Sequence, residues 1–264
     1  MIFQDNLLEG QVALVTGGGT GIGFGIASEL ARYGAAVAIA SRSPDHLTPA
    51  LDKLQAAGAT ALGIETNVRE PESIKAAVTK TVEEWGRIDI LVNNAAGNFY
   101  AQSAGLSPNG WKAVVETDLY GTFYGSQAVH PIMREQGGGK IISTSMTLHY
   151  RGWPLMAHAT AAKAGVDALT RTLAVEWAQD NITVNAVAPG PIMTEGAYKA
   201  FGSPEGKEAD AMGIDERLKK QIPLGRLGTP ADIGNMVVYL ASPAGSWITG
   251  SIIVIDGGSW LSKF

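Results

Sequence analysis

Short apolar runs of strand length alternate along the chain with longer segments whose apolar residues recur every three or four positions. Val12–Thr16 (VALVT) is the first run; it ends in glycines, and a helical pattern follows over 22–33. A second run at 36–40 precedes a helix over 44–57, and a weaker third run, Ala61–Glu65, precedes Pro71–Trp85. In that helix Ile74, Ala77, Val78, Thr81, Val82 and Trp85 share one face. A fourth run covers 88–93 (IDILVN). Ser107-Pro108 then reads as an N-cap followed by proline in the first turn, opening a helix that runs to Gln136 with a bend near Gly121. Gly137-Gly138-Gly139 stops it. A fifth run at 140–144, a long helix over 157–179, a sixth run at 182–188, a helix opened by Thr229-Pro230-Ala231-Asp232 and a seventh run at 252–256 complete the pattern. Runs that are apolar throughout are buried on both faces. Strict alternation with helices predicts an α/β fold: a seven-stranded parallel sheet, doubly wound, flanked by helices, in one domain over 1–264. Residues 189–223 carry no strand signal and are rich in glycine, proline and charge; such a stretch reads as a lid over a ligand.

Composition narrows the chemistry. The 264 residues include no cysteine, which removes thiol nucleophiles and thiolate metal sites, and the four histidines show no metal-binding spacing. A net charge of -5 argues against a nucleic-acid partner. No apolar run reaches the ~18 residues that span a bilayer, and the first residues lack a basic signal-peptide region. These features give a cytoplasmic expectation; the terminal Ser262-Lys263-Phe264 is close to a peroxisomal Ser-Lys-Leu tail but departs at its last residue.

The 33 glycines are numerous, and one cluster of them is informative. After the first strand comes Thr16-Gly17-Gly18-Gly19-Thr20-Gly21-Ile22-Gly23. Between a buried strand and a helix, such a loop brings backbone N–H groups up to a pyrophosphate at the helix N-terminus. Gly17, Gly19, Thr20, Gly21, Ile22 and Gly23 are therefore expected to hold a dinucleotide. The second strand selects which one. An acid there would bind the ribose 2′-hydroxyl of NAD. This strand instead ends Ala40-Ser41-Arg42-Ser43, where Arg42, helped by Ser41 and Ser43, suits the 2′-phosphate of NADP(H).

TGGGTGIG, Asn93-Asn94-Ala95-Ala96-Gly97 after the fourth run and Pro189-Gly190 after the sixth together resemble the short-chain dehydrogenase/reductase family, from about Gly10 to Leu261. The resemblance implies that Asn67 and Val68 lie by the adenine. It implies that Asn94, Ala95, Ala96 and Gly97 line the cofactor, that Pro189, Gly190, Ile192 and Thr194 lie over the nicotinamide, and that the protein is a homotetramer. The family works through a Tyr-x-x-x-Lys pair and an upstream serine. Here Lys163 is in place, but Ala159 holds the tyrosine position and Met146 the serine position.

A narrower resemblance addresses that loss. Ala95-Ala96-Gly97-Asn98-Phe99, Asn67-Val68-Arg69, the segment 158–163 and Pro189-Gly190-Pro191-Ile192 are similar to 2,4-dienoyl-CoA reductases of the peroxisomal type, which also lack the tyrosine, and to trans-2-enoyl-CoA reductases. It implies an acyl-CoA substrate, with Lys163 on the nicotinamide ribose, Asn98 donating to the thioester oxygen and Arg69 on the CoA; Phe99, next to Asn98, is open to lining the acyl channel or to an ordinary place in the core. Lys163 and Asp118 both fall on apolar helical stripes, where an isolated charge is costly. Asp118 is expected either to reach Lys163 through a water and relay a proton or to hold a neighbouring backbone group. Arg69 is open to a surface ion pair. Tyr150 is the nearest phenol, and His149 and His158 are further donors. Two other readings stay open: an NADP(H)-dependent carbonyl or alcohol oxidoreductase using Tyr150 or a water, and a dinucleotide-binding protein without catalysis. Lys199 and Lys207 lie in the expected lid.

Overall fold

The computed structural model describes residues 3–200 and 213–262. All seven runs form strands: β1 (Val12–Thr16), β2 (Ala36–Ser41), β3 (Ala61–Glu65), β4 (Ile90–Asn93), β5 (Gly139–Thr144), β6 (Ile182–Pro189) and β7 (Ile252–Ile255). The helices between them are α1 (Gly21–Arg32), α2 (Pro44–Ala56), α3 (Pro71–Trp85), α4 (Pro108–Val115), α5 (Gly121–Glu135), α6 (Ala157–Glu176), α7 (Glu195–Ala200), α8 (Ile214–Gln221) and α9 (Pro230–Ala241). The strands pair in parallel in the order β3-β2-β1-β4-β5-β6-β7.

The continuous apolar runs conceal the two-residue alternation of a strand. Ala13 and Val15 face a core shared with Ile26 and Leu30 of α1 and Ile233 and Val237 of α9. Leu14 between them faces a second core with Ala77 and Val78 of α3, Val129 and Met133 of α5 and Leu173 of α6. Helices thus cover both faces of the sheet. The chain winds from β1 one way to β3 and then the other way through β4, so the strand order reverses between β1 and β4. Folds of this kind bind ligands at such a reversal, beyond the carboxyl ends of the strands.

Two local departures from the sequence pattern concern the site. The helix expected over 108–136 is two helices joined by a π turn, Glu116–Tyr120. The segment 189–223 is not wholly irregular, since it contains α7 and α8. Lys207 and the terminal Lys263-Phe264 lie outside the described residues.

The cap of α9 anchors the helix that packs on α1. Thr229 and Asp232 form a reciprocal capping box, and Arg226 pairs with Asp232 at 2.8 Å. Thr229→Ala should cost about 1 kcal/mol in denaturant unfolding. The Arg226 guanidinium holds the Asp232 carboxyl well below the usual carboxylate range. Its folded-state pKa is depressed, so its contribution is present above the unfolded value and lost as pH falls through the folded one. The stability gap between the wild type and Asp232→Asn, measured at pH 7, should therefore shrink below about pH 4. A gap that widens on acidification would contradict this account.

Candidate active site

The glycine loop is built by close approach. Gly17 has φ +65° and Gly21 +55°. A Cβ on Gly23 would stand 2.2 Å from Gly17 O, so the turn closes only with glycine at that position. Thr20 caps α1 without a side-chain hydrogen bond, and the first turn holds no acid. The first N–H groups of α1 are thus left without a side-chain acceptor, and they suit a phosphate. Thr194, in the segment after β6, leans over the same place: its Cγ2 lies 3.4 Å from where a Cβ of Gly21 would be. The loop expected over the nicotinamide and the loop expected under the pyrophosphate therefore meet. Gly190 packs so closely on Asp256 that a Cβ would fall 2.3 Å from Asp256 Cβ. Ile192 bridges to Gly228, which fixes the chain beyond Pro189.

Thr16 ties β1 to the loop after β4. Its Oγ1 accepts from Asn94 N at 3.0 Å and Ala95 N at 3.1 Å and donates to Val92 O at 3.3 Å. Asn94 Nδ2 donates to Thr16 O and Gly17 O, and its Oδ1 accepts from Thr144 Oγ1 at 3.3 Å. Asn94 thus braces the glycine loop from below. A threonine at the end of a strand, just before glycines, was a readable signal for Thr16; nothing local marked Thr144.

Where the adenine is expected, Ser41 ends β2 and Arg42 follows it; Arg42 is exposed, with no hydrogen-bond or ion-pair partner among the described residues. Asn67 Oδ1 accepts from Arg69 N at 3.2 Å, and Val68 packs against Gly121. The Arg69 side chain is engaged: Nε donates to Glu116 Oε2 at 2.9 Å, and NH2 donates to the same oxygen. Lys112 reaches the other Glu116 oxygen at 3.4 Å. Arg69 is thus in the ion pair that its position left open.

The π turn places Asp118 inside the protein, 2 % exposed. Its Oδ1 accepts from Gly97 N at 2.8 Å, and its Oδ2 lies 3.6 Å from Lys163 Nζ. The backbone hydrogen bond open to Asp118 is present, and its carboxylate approaches Lys163 directly rather than through a water. Lys163, 5 % exposed, donates to Thr144 O at 2.7 Å. Burial raises the Asp118 pKa; Lys163, the Gly97 amide and His158 oppose it without reversing it.

No hydroxyl stands where the family's tyrosine and serine would be. Ala159 packs with Val114 and Met156, with Met146, Leu148 and Trp153 against them. This is an apolar wall beside the Asp118–Lys163 pair. Ser145 turns away, donating to Asp167 Oδ1 at 2.5 Å, while His149 Nε2 lies 2.8 Å from Asp167 Oδ2. Tyr150 stacks edge-on against His149 and Trp260, and burial together with the Asp167 charge pushes its phenol up to about 12. Asn98 and Phe99 are exposed, and the Asn98 amide makes no hydrogen bond among the described residues. Among the described residues no cluster of side chains could hold a metal ion, and no helix is long and apolar enough to cross a membrane.

The model of the enoyl-(acyl carrier protein) reductase family matches residues 17–259. The peroxisomal 2,4-dienoyl-CoA reductase ((3E)-enoyl-CoA-producing) of Danio rerio is 45 % identical over 263 residues, covering 99 % of this chain and 85 % of the relative. The protein of the same name from Arabidopsis thaliana is 40 % identical over 270 residues, covering 99 % and 88 %. A solved 7α-hydroxysteroid dehydrogenase, complexed with NADH and 7-oxo glycochenodeoxycholic acid, superposes with a TM-score of 0.88 at 32 % identity, covering 98 % of each chain.

Proposed function

The chain belongs to the short-chain dehydrogenase/reductase family, and from that premise we propose that it uses NADPH to reduce a conjugated double bond of a 2,4-dienoyl- or enoyl-CoA thioester. It is an oxidoreductase whose family implies a nicotinamide dinucleotide. The observation that carries the finer reading is the apolar wall of Ala159, Met146 and Val114 beside a buried carboxylate–lysine pair. A ketone becomes an alkoxide and needs a positioned acid at its oxygen. A conjugated thioester becomes an enolate, whose oxygen needs only hydrogen-bond donors while a carbon takes the proton. The wall suits an acyl chain, and the pair suits the proton.

When bound, the dinucleotide supplies a hydride to the distal carbon of the conjugated system. Asn98, exposed and unengaged, donates to the thioester oxygen, which receives the displaced electron pair. The Asp118–Lys163 pair hands a proton, through water, to the carbon next to the thioester. One hydride and one proton added to a 2,4-dienoyl-CoA at those two carbons give a 3-enoyl-CoA, the product class in the relatives' names. Lys163, which donates to Thr144 O, also holds the nicotinamide ribose in this reading. Phe99 borders the acyl channel, and the loop from Pro189 to Thr194 covers the nicotinamide. Arg69 meets the CoA only by sharing or leaving Glu116.

Arg42 supports the choice of NADPH, because a free guanidinium at the end of β2 suits a 2′-phosphate. Arg42→Ala should raise KM for NADPH about 10- to 100-fold, the worth of a charged hydrogen bond, and leave KM for NADH nearly unchanged. Equal losses with both would remove Arg42 from this role. Exposed aromatic side chains at Tyr120 and Phe123 support assembly into a homotetramer. We take the setting as cytoplasmic.

The deciding experiment follows oxidation of NADPH with 2,4-hexadienoyl-CoA, a 2-enoyl-CoA and a panel of ketones. Turnover of the acyl-CoA thioesters is expected. Turnover of ketones alone would overturn the proposal in favour of carbonyl chemistry, against which the high pKa of Tyr150 already speaks. Tight NADPH binding with no turnover would mark a binding protein, a role that gives no reason to bury Asp118 and Lys163.

A further inference from the structure

His158 is the second residue of α6, one before Ala159, and its side chain is fully buried. The Ala159 N–H donates to His158 Nδ1 at 2.8 Å. The ring thus satisfies one of the amide donors that every helix N-terminus leaves over. With Nδ1 accepting, a neutral imidazole carries its hydrogen on Nε2. Among the described residues Nε2 makes no hydrogen bond of normal geometry, only a weak electrostatic contact with the Phe99 backbone. A buried N–H without an acceptor costs roughly 1–3 kcal/mol, so an orphan of this kind needs a reason.

The surroundings supply one. Burial lowers the His158 pKa, while the Asp118 carboxylate and the Phe99 backbone pull the other way and lose. The positive end of the α6 dipole also disfavours a charge there. The ring therefore stays neutral, and a neutral imidazole is an effective donor to an enolate oxygen, as triosephosphate isomerase illustrates. Part of its cover is an exposed side chain. Phe99 packs edge-on against the ring, with centroids 4.6 Å apart and planes at 74°, and is itself exposed. Phe99 adjoins Asn98, the donor assigned to the thioester. Rotation of one exposed ring would open His158 toward the ligand that Asn98 meets.

We propose that His158 Nε2–H donates a hydrogen bond to the thioester oxygen of the bound acyl-CoA, alongside Asn98, and so stabilises the enolate. This rests on the acyl-CoA reductase reading of the site. His158 gives up no proton in this role; the carbon is still protonated from the Asp118–Lys163 side.

The test compares His158→Leu, which removes the donor, with His158→Gln, which retains an N–H group. Turnover of 2,4-hexadienoyl-CoA with NADPH and the Kd for NADPH are measured for each. His158→Leu is expected to lose about 10²-fold in kcat with the NADPH Kd unchanged, and His158→Gln to stay within about tenfold of wild type. Unchanged kcat in His158→Leu, with active wild type, would overturn the His158 assignment and leave the reductase reading standing. So would parallel losses of kcat and NADPH binding in both variants, the mark of a structural role. A wild type inactive toward every acyl-CoA would overturn both. Should His158→Leu fail to fold, 15N-histidine NMR of the wild type takes its place. Adding saturated hexanoyl-CoA and NADP+ is expected to shift the Nε2–H resonance of His158, and an unmoved resonance would overturn the proposal.

Discussion

Replacing Asp118 with asparagine is expected to lower kcat for a dienoyl-CoA by about 10²-fold or more, the usual worth of a positioned acid–base group, with the dinucleotide Kd nearly unchanged. The substitution is close to isosteric. The asparagine carbonyl still accepts from Gly97 N, so the loop carrying Asn98 keeps its anchor. What is lost is the capacity to hold a proton and the attraction to Lys163 Nζ at 3.6 Å. The pH dependence supplies an independent check. Burial holds the Asp118 pKa above the ordinary carboxylate value. A group that must be protonated to act loses activity as pH rises through its pKa. The wild type should therefore show a descending limb above the ordinary carboxylate range, near 4, and that limb should be missing from Asp118→Asn. Steady-state rates across pH test both parts. A variant with full kcat would remove Asp118 from the proton path and leave it as the clamp of the Gly97 loop.

Sequence and structure agree where one physical signal dominates. The seven strands were legible because burial on both faces demands unbroken apolar runs, and those runs are bounded by glycine, proline and charge. The glycine loop was legible because close backbone approach admits no other residue at Gly23. The π turn was only half legible. Asp118 on an apolar stripe showed that the acid is turned inward, but the extra residue that aims it is set by packing among Val68, Gly121 and Leu119 against Gly165, which no local pattern encodes. Helices α7 and α8 were passed over because the segment lacks an apolar stripe. Yet α8 carries Asp215 and Glu216 in its first turn and Lys219 and Lys220 in its last, the charge order a helix dipole favours. Arg69 shows a further limit. Its residue type suits phosphate, but whether it is free depends on Glu116, 47 residues away. Lys163 was recognised through a motif, whereas its partner Thr144 O is a backbone atom and has no sequence signature.

The largest combined effect is expected at Lys163. Lys163→Met keeps the bulk and the apolar stem but removes the donor to Thr144 O and the counter-charge of Asp118. Both partners are buried, with side chains 7 % and 3 % exposed, so Asp118 would be left without compensation in a site that already disfavours its charge. Breaking a buried pair from one side costs about 3–5 kcal/mol. Lys163→Met should therefore be less stable by an amount of that order in urea unfolding, and its kcat should fall about 10³-fold, because the ribose contact and the proton path fail together. Adding Asp118→Asn to Lys163→Met removes the stranded acid. The double variant should regain much of the stability while remaining inactive. Each interpretation then has its own signature. If the pair served the fold alone, activity would return with stability. If it served chemistry alone, Lys163→Met would unfold like the wild type. Recovery of stability without recovery of turnover is the outcome that a buried, proton-carrying pair requires.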